Sequence, residues 1–195
     1  MKSNTQKKIL TKKLTLIGLL TALSAILSYV KIPIFGSASI TLVLPVIVIG
    51  AALCGPIVGA WLTVLPNIAA FSEAGIFLTY SPVGCVLTLL LKGLLAGYLA
   101  GLVYQWLSKK HPIGAVTCAA IVAPVVNTGV FVLGCYLCIW DQLVELAGQN
   151  GIGIGMLLLG LAGLNFIVEL ILNIVLCPTI LRIIQIASKR NLPTA

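Results

Sequence analysis

The segment Ser81–Leu107 is apolar along almost its whole length but carries one charged residue, Lys92, near its middle. About 20 apolar residues are enough for an α-helix to cross the hydrocarbon core of a bilayer. A charge at the centre of such a helix costs roughly 2.5–3.5 kcal/mol on insertion scales, so it normally has a partner or a function. The segment therefore predicts a membrane-spanning helix with a polar site at mid-depth.

The rest of the chain is also apolar. Of its 195 residues, 60% are hydrophobic and only 8% are charged, whereas soluble domains carry about 25% charged residues. This composition predicts an all-α integral membrane protein. We expect one transmembrane domain over residues 1–195, with a basic N-terminal segment (1–11), a helical core (about 12–187) and a C-terminal tail (188–195).

Apolar segments predict six transmembrane helices. They cover about Leu14–Val30, Leu42–Leu53, Ile57–Ala70, Pro82–Leu107, Ile113–Ile139 and Gly155–Ile180. The second and third are short for a hydrocarbon core of about 30 Å, so we expect neighbouring helices to shield them. Pro66 is expected to bend the outer end of the third.

The net charge of +8 is concentrated on one side of this six-span arrangement. Ten of the twelve basic residues lie before the first span, between the fourth and fifth, or after the sixth: Lys2, Lys7, Lys8, Lys12, Lys13, Lys109, Lys110, Arg182, Lys189 and Arg190. Lys31 lies opposite, with Glu73, Asp141 and Glu145. This is the positive-inside pattern, which predicts that both termini are cytoplasmic. It argues against a nucleic-acid partner.

Catalytic and metal-binding patterns are not evident. The sequence has no H-E-x-x-H, G-x-S-x-G or G-x-x-x-x-G-K-[ST] motif, and four acids and one histidine leave little acid–base chemistry. Cys135 and Cys138 form a single CxxC, but a zinc site needs about four ligands, and His111 is predicted on the other side. We therefore predict that the protein is not an enzyme and that it has no resident cofactor and no metal site. The cysteines are expected to act as small apolar residues.

Polar residues recur inside the last spans. Asn165, Glu169 and Asn173 are spaced at i, i+4 and i+8, so they share one helix face. Pro124 frees a backbone carbonyl shortly before Asn127 and Thr128, as in many intramembrane polar sites. Both sets could fix helix packing or could line a ligand pocket.

Lys92 and Glu169 are both predicted near the bilayer midplane. Lys92 lies ~15 Å along its helix from Pro82, and Glu169 lies ~16 Å from Ile180, at 1.5 Å per residue. They could form a structural ion pair alone, or a pair poised to receive an anionic ligand. The candidate binding residues are Asn67, Tyr80, Lys92, Asn127, Asn165 and Glu169.

Small residues four apart allow helices to approach closely. The fourth span carries Gly93, Gly97 and Gly101, and this face could pack internally or dock a partner subunit. The first span offers two further pairs as partner-docking candidates: Gly18 with Ala22, and Thr21 with Ala25.

Over about Lys12–Arg190, the chain resembles the substrate-binding (S) components of energy-coupling factor (ECF) vitamin transporters. The resemblance is carried by LTLIGLLTALSAILSYVKIPI, by CGPIVGAW between two short spans, by SPVGCVLTLLLKGLLAGYLAGLVYQWLSKK and by APVVNTGVF. It implies six helices, a vitamin pocket in the outer half, and docking to a module with a transmembrane scaffold and two ATPases. It also implies the plasma membrane of a bacterium.

The family's first span commonly docks through a small-xxx-small motif, for which this chain offers the two pairs above. The resemblance further implies that the loops Ile32–Thr41 and Phe71–Tyr80 gate the pocket. Lys92 suggests an anionic substrate, which favours pantothenate among vitamins. The alternatives are a non-transporting scaffold of the cell envelope and a solitary vitamin transporter.

Overall fold

The computed structural model describes the backbone of residues 2–30, 32–35, 38–71 and 74–189, and the side chains of residues 10–30, 41–71, 74–75 and 77–187. Helices dominate these residues: α1 (Lys2–Tyr29), α2 (Val43–Cys54), α3 (Pro56–Trp61), α4 (Val64–Ala70), α5 (Gly75–Tyr80), α6 (Pro82–Ser108), α7 (Pro112–Cys138), α8 (Trp140–Gln149), α9 (Ile154–Leu158) and α10 (Leu164–Lys189). A π-helical segment, Leu159–Gly163, joins α9 to α10.

Four helical stretches are long and apolar enough to cross a membrane: Leu10–Tyr29, Pro82–Ser108, Pro112–Cys138 and Ile154–Ala187. Two shorter apolar stretches, Val43–Cys54 and Pro56–Ala70, correspond to the second and third predicted spans. The prediction of a helical protein is confirmed, with four helices that are long and apolar enough to span a membrane. The count of six spans and the cytoplasmic position of the termini stay predictions.

The two predicted gating loops contain regular structure. Strands β1 (Ile32–Phe35) and β2 (Ala38–Ile40) form an antiparallel hairpin in which Ile32 pairs with Ile40. The second loop was expected to be irregular, but its last residues form α5. Two charged residues assigned to the outer side, Lys31 and Glu73, lie outside the described residues.

The third predicted span is broken at Leu62–Thr63, four residues earlier than the bend expected at Pro66. Proline has no N–H, so Pro66 cannot donate the helical hydrogen bond to the Leu62 carbonyl. That carbonyl instead lies 3.1 Å from Ser24 Oγ of α1, whose single proton is shared between Leu62 O and Thr21 O, the latter at 2.9 Å. Because Ser24 and Leu62 are both fully buried, this shared bond provides a donor for a carbonyl that water cannot reach.

We therefore expect Ser24→Ala to lower the free energy of unfolding by about 1–3 kcal/mol, the cost of leaving a buried polar group without its partner. The matched control is Thr15→Ala on the same helix. Thr15 is exposed, and its hydroxyl donates a hydrogen bond of 3.0 Å to Thr11 O within α1. Chemical denaturation in detergent measures both, and equal losses for the two variants would contradict this role of Ser24.

Two apolar clusters stabilise the bundle. The larger cluster is built mainly on α2, α6, α7 and α10, and includes Leu53, Val116 and Ile180. The smaller cluster joins Phe77, Cys85, Leu89, Cys135, Ile139 and Leu143. Leu16, Leu107 and Ala187, from α1, α6 and α10, all pack in the larger cluster.

The glycine face of α6 packs against the chain's own helices. A Cβ atom at Gly97 would collide with the backbone of Gly59 in α3, and one at Gly101 would lie 2.6 Å from Pro56 Cα. Such spacing lets helix backbones touch directly. Of the two interpretations of this face, internal packing describes the observed arrangement, and Gly93, Gly97 and Gly101 are buried rather than open to a partner.

Candidate functional site

A cavity of about 470 Å³ lies among the helices, and half of the residues that line it are polar although the surrounding segments are apolar. Its volume falls within the range of about 300–1,000 Å³ that is usual for small-molecule sites. The wall is formed by Ser28, Thr41, Val43, Leu44, Ile47, Thr63, Pro66, Asn67, Ala70, Lys92, Gly93, Asn127, Thr128, Phe131, Leu161, Ala162, Asn165 and Glu169. These residues come from both ends of the sequence, so only the folded bundle assembles the cavity.

The structure brings together five of the six residues predicted to bind a substrate: Asn67, Lys92, Asn127, Asn165 and Glu169. The sixth, Tyr80, ends α5, is 52% exposed and does not line the cavity. Convergence on one cavity agrees with the rule that polar groups of membrane helices face the interior. Substrate binding by these residues stays a prediction.

Lys92 presents its ammonium to the cavity next to an aromatic ring. Its Nζ lies 5.2 Å from the ring centroid of Phe131 on α7, which is within cation–π range. The same ring packs edge-to-face on Phe77, with centroids 6.2 Å apart. Phe131 thus links the charged wall of the cavity to the smaller apolar cluster.

Glu169 supplies a carboxylate to the same cavity. Its Oε1 accepts a hydrogen bond of 3.4 Å from Thr41 Oγ1, and its backbone carbonyl accepts one of 2.8 Å from Asn173 Nδ2. Lys92 is near enough to act electrostatically on this carboxylate. The structure therefore places the two predicted partners in one site, and a direct ion pair between them stays a prediction.

Asn67 occupies the cavity wall because α6 has no side chain opposite it. A Cβ at Gly93 would fall on the Asn67 amide group. The Asn67 side chain is 5% exposed, and its Nδ2 donates a long hydrogen bond of 3.4 Å to Leu90 O. Gly93 therefore serves the site by making room for a polar side chain beside Lys92.

Helix α7 contributes Asn127, Thr128 and Phe131 to the wall, just beyond the buried Pro124. Asn127 and Phe131 are four residues apart, so they share a helix face. Asn127 was predicted from its polarity but Phe131 was not, because an aromatic residue in an apolar helix gives no polar signal. The four-residue spacing between Asn127 and Phe131 could have indicated that Phe131 lies on the same helix face.

The π-helical segment sets the orientation of the last transmembrane helix. Leu157 and Leu158 pack on the smaller cluster, Asn165 and Glu169 line the cavity, and Leu161 between them contacts both. A π-helical turn adds a residue to the helix and shifts the faces on either side of it, and such turns are frequent at functional sites. This segment therefore lets one helix serve both surfaces.

The described residues contain no group of three or more histidine, cysteine or acidic side chains that could hold a metal ion. All six cysteines are free thiols, and Cys138 alone among them is exposed. The polar part of the cavity wall instead contains one ammonium, one carboxylate, amides and hydroxyls. These groups can bind a small polar molecule by hydrogen bonds and charge.

The family model described as "ECF transporter, substrate-specific component" matches residues 12–181 of the sequence. The chain belongs to this family. ECF substrate-specific components are membrane-embedded subunits of transporters rather than enzymes. No curated protein and no solved structure matches the chain. For an ECF substrate-specific component, the polar cavity is the natural candidate for the substrate site.

Proposed function

We propose that this protein is the substrate-capture subunit of a bacterial ECF transporter. It spans the plasma membrane six times, with both termini in the cytoplasm. It takes a water-soluble vitamin or related micronutrient from outside and delivers it through a shared module of one transmembrane scaffold and two ATPases. The observation that carries this proposal is the polar cavity, combined with the family to which the chain belongs.

A polar cavity is costly in a membrane protein. Charged and amide groups within spanning segments lose hydration, and they are usually retained for a substrate or ion. Here Lys92, Glu169 and three asparagines converge on one wall. A purely structural scaffold could be held together by the apolar clusters alone, so this convergence favours capture of a polar solute.

The grouping of basic residues supports the proposed orientation. Lys109 and Lys110 are exposed in the turn between α6 and α7, and the sequence assigns this turn to the same side as the basic segments before the first span and after the last. Basic residues prefer the cytoplasmic side of a membrane. The hairpin and α5 then lie on the outer side, where they are candidates for the gates of the cavity.

Helix α1 offers the better surface for the ECF module. Gly18 and Ala22 are exposed, and a Cβ at Gly18 would meet nothing within 4 Å. Thr21 and Ala25 are partly buried. The glycine face of α6 is already covered by α3, so we assign docking to the Gly18–Ala22 surface.

We expect the double variant Gly18→Leu, Ala22→Leu to lose assembly with the module and to keep substrate affinity. Two bulky side chains would prevent close helix approach at this surface, while no cavity residue is changed. Co-purification with tagged module subunits measures assembly. The matched control is Leu19→Met on the adjacent exposed position. Unchanged assembly of the double variant would contradict docking at this surface.

Pantothenate is the first candidate substrate. It carries one carboxylate for Lys92, together with hydroxyl and amide groups that the asparagines and Glu169 could bind. This assignment is finer than the family match and rests on the chemistry of the cavity wall.

The proposal is tested by reconstituting the protein with an ECF module in lipid vesicles that enclose ATP or a non-hydrolysable analogue. We expect uptake of radiolabelled vitamin only with both the module and ATP. Uptake without the module would instead identify a solitary transporter. If the protein shows no uptake and binds no vitamin, a structural scaffold is favoured.

A further inference from the structure

We infer that Asn173 is a further substrate-binding residue. It does not line the cavity in this conformation, and its amide turns into the cavity to bind a hydroxyl or amide group of the substrate. This inference rests on the proposed function, because it adds one contact to the capture site and names the chemical group that this contact recognises. It follows from a buried amide whose oxygen is unsatisfied, one helical turn from Glu169.

The side chain of Asn173 is poorly satisfied where it lies. It is 1% exposed, and within the described part of the chain no donor reaches its Oδ1. Its Nδ2 donates a hydrogen bond of 2.8 Å to Glu169 O, so a flipped amide would place two oxygens against each other. In a regular helix the Glu169 carbonyl already accepts the backbone N–H of Asn173. The side-chain bond is therefore redundant, while the unsatisfied oxygen is costly.

Helix packing does not account for an asparagine at this position. Among the described residues, the Asn173 side chain bonds only within α10 and ties that helix to no other. An apolar side chain would fill the same place without leaving a buried oxygen unsatisfied. Polar residues that are costly in a membrane helix are usually retained for a function, and this one has none in the observed conformation.

The position of Asn173 brings it within reach of the cavity. Residues four apart share a helix face: Glu169 lines the cavity, and Cys177 packs on the larger apolar cluster. Asn173 therefore lies where the cavity meets that cluster. Helical side chains lean toward the N-terminus of their helix, which for Asn173 is the direction of Glu169. A change of rotamer toward the cavity would release only the redundant bond to the Glu169 carbonyl.

The chemistry of an amide restricts what it can bind. Its oxygen needs a donor, whereas its NH₂ group needs an acceptor. A hydroxyl or an amide supplies both, but a carboxylate has no donor and an ammonium has no acceptor. Away from water such bonds are stronger than in solution. The substrate is therefore expected to carry a hydroxyl or amide group at the end that enters the cavity most deeply.

Purified full-length protein in lipid nanodiscs tests this contact. The probes are pantothenate, biotin, thiamine, riboflavin and pyridoxine, together with any small molecule that co-purifies and is identified by mass spectrometry. Calorimetry measures their affinities for wild type, Asn173→Leu and Asn173→Ala. One variant is larger than asparagine and the other smaller, so an effect common to both reports the amide rather than the volume. If the leucine variant does not fold, the alanine variant carries the test.

The same two substitutions at Asn150 are the matched controls. Asn150 Nδ2 also donates a hydrogen bond of 2.8 Å to the carbonyl four residues earlier, that of Leu146. Asn150 is exposed and does not line the cavity. Its variants lose an equivalent bond but no contact with a substrate.

We expect the Asn173 variants to weaken the tightest-binding compound about 3- to 10-fold, as for loss of one hydrogen bond. The Asn150 variants should keep wild-type affinity. Analogues of that compound, each lacking one O–H or N–H donor, identify the group that is bound. One of them should bind wild type more weakly and should be insensitive to the Asn173 substitutions, because the contact is already absent.

Two results would overturn this role of Asn173 and leave the proposed function standing. One is wild-type affinity in the Asn173 variants. The other is an equal loss for every analogue, which would show that the substitutions act indirectly on the cavity. If no compound co-purifies and none of the probes binds wild type, the proposed function itself fails, and this inference fails with it.

Discussion

Gly97→Ala is expected to lower the free energy of unfolding by about 2–3 kcal/mol, the usual cost of overpacking a tightly fitted contact. The added methyl group would overlap the carbonyl group of Gly59, and it would lie 2.9 Å from the backbone nitrogen of Ala60. Backbone atoms cannot turn aside as a flexible side chain can. Helices α3 and α6 would therefore have to separate along the face that also holds Gly93 and Asn67.

Gly129→Ala is the matched control for this change. Gly129 also lies in a long transmembrane helix, but a Cβ there would meet nothing within 4 Å. Alanine is a better helix former than glycine by about 1 kcal/mol in water, so this variant should be at least as stable as wild type. Denaturation in detergent compares the two, and equal stability of both variants would show that α3 and α6 do not touch at Gly97.

Ala162→Phe is expected to weaken substrate binding roughly 100-fold, equivalent to about 2.8 kcal/mol. Ala162 lies on the π-helical segment, is 7% exposed and lines the cavity. A phenyl group at this position would take up space that the substrate needs. Because it would extend into the cavity rather than into either apolar cluster, we expect the free energy of unfolding to change by less than about 1 kcal/mol.

Calorimetric titration of the co-purified ligand measures this loss of affinity. Gly129→Phe adds a ring of the same size at an exposed position with open space around it, so its affinity should match wild type. Wild-type affinity in a stably folded Ala162→Phe protein would mean that the substrate binds elsewhere.

Much of the candidate site could be predicted because the bilayer makes polar residues conspicuous. Lys92, Glu169 and Asn165 stand out in apolar segments, and a lipid-facing position would be costly for each. Their convergence on one cavity follows from that cost. Asn67 was also among the predicted residues, but the need for Gly93 opposite its amide becomes visible only when α4 and α6 are packed together.

Other parts of the site gave no such signal. Tyr80 was chosen from a segment expected to be a loop, whereas α5 places it on the exposed surface. Thr41 and Phe131 are ordinary residues for a loop end and an apolar helix, and their roles depend on which helices become neighbours. Tertiary packing, rather than local sequence, decides such contacts.

The glycine face and the broken third span show a second kind of limit. Gly93, Gly97 and Gly101 permit close approach, but small residues suit an internal helix and a partner helix equally well. Pro66 correctly indicated a disturbed helix. The break lies at Leu62–Thr63 because Pro66 has no N–H, so the Leu62 carbonyl four residues earlier lacks its helical hydrogen bond. Ser24 Oγ lies 3.1 Å from this carbonyl.

Native mass spectrometry of wild-type and Ala162→Phe protein, purified side by side from the same medium, tests most directly the claim that the cavity captures a small polar molecule. We predict one bound small molecule per wild-type protein and a nearly complete loss of that species from Ala162→Phe. An equal bound fraction in the two proteins, or no bound small molecule in either even after vitamins are added, would contradict the claim.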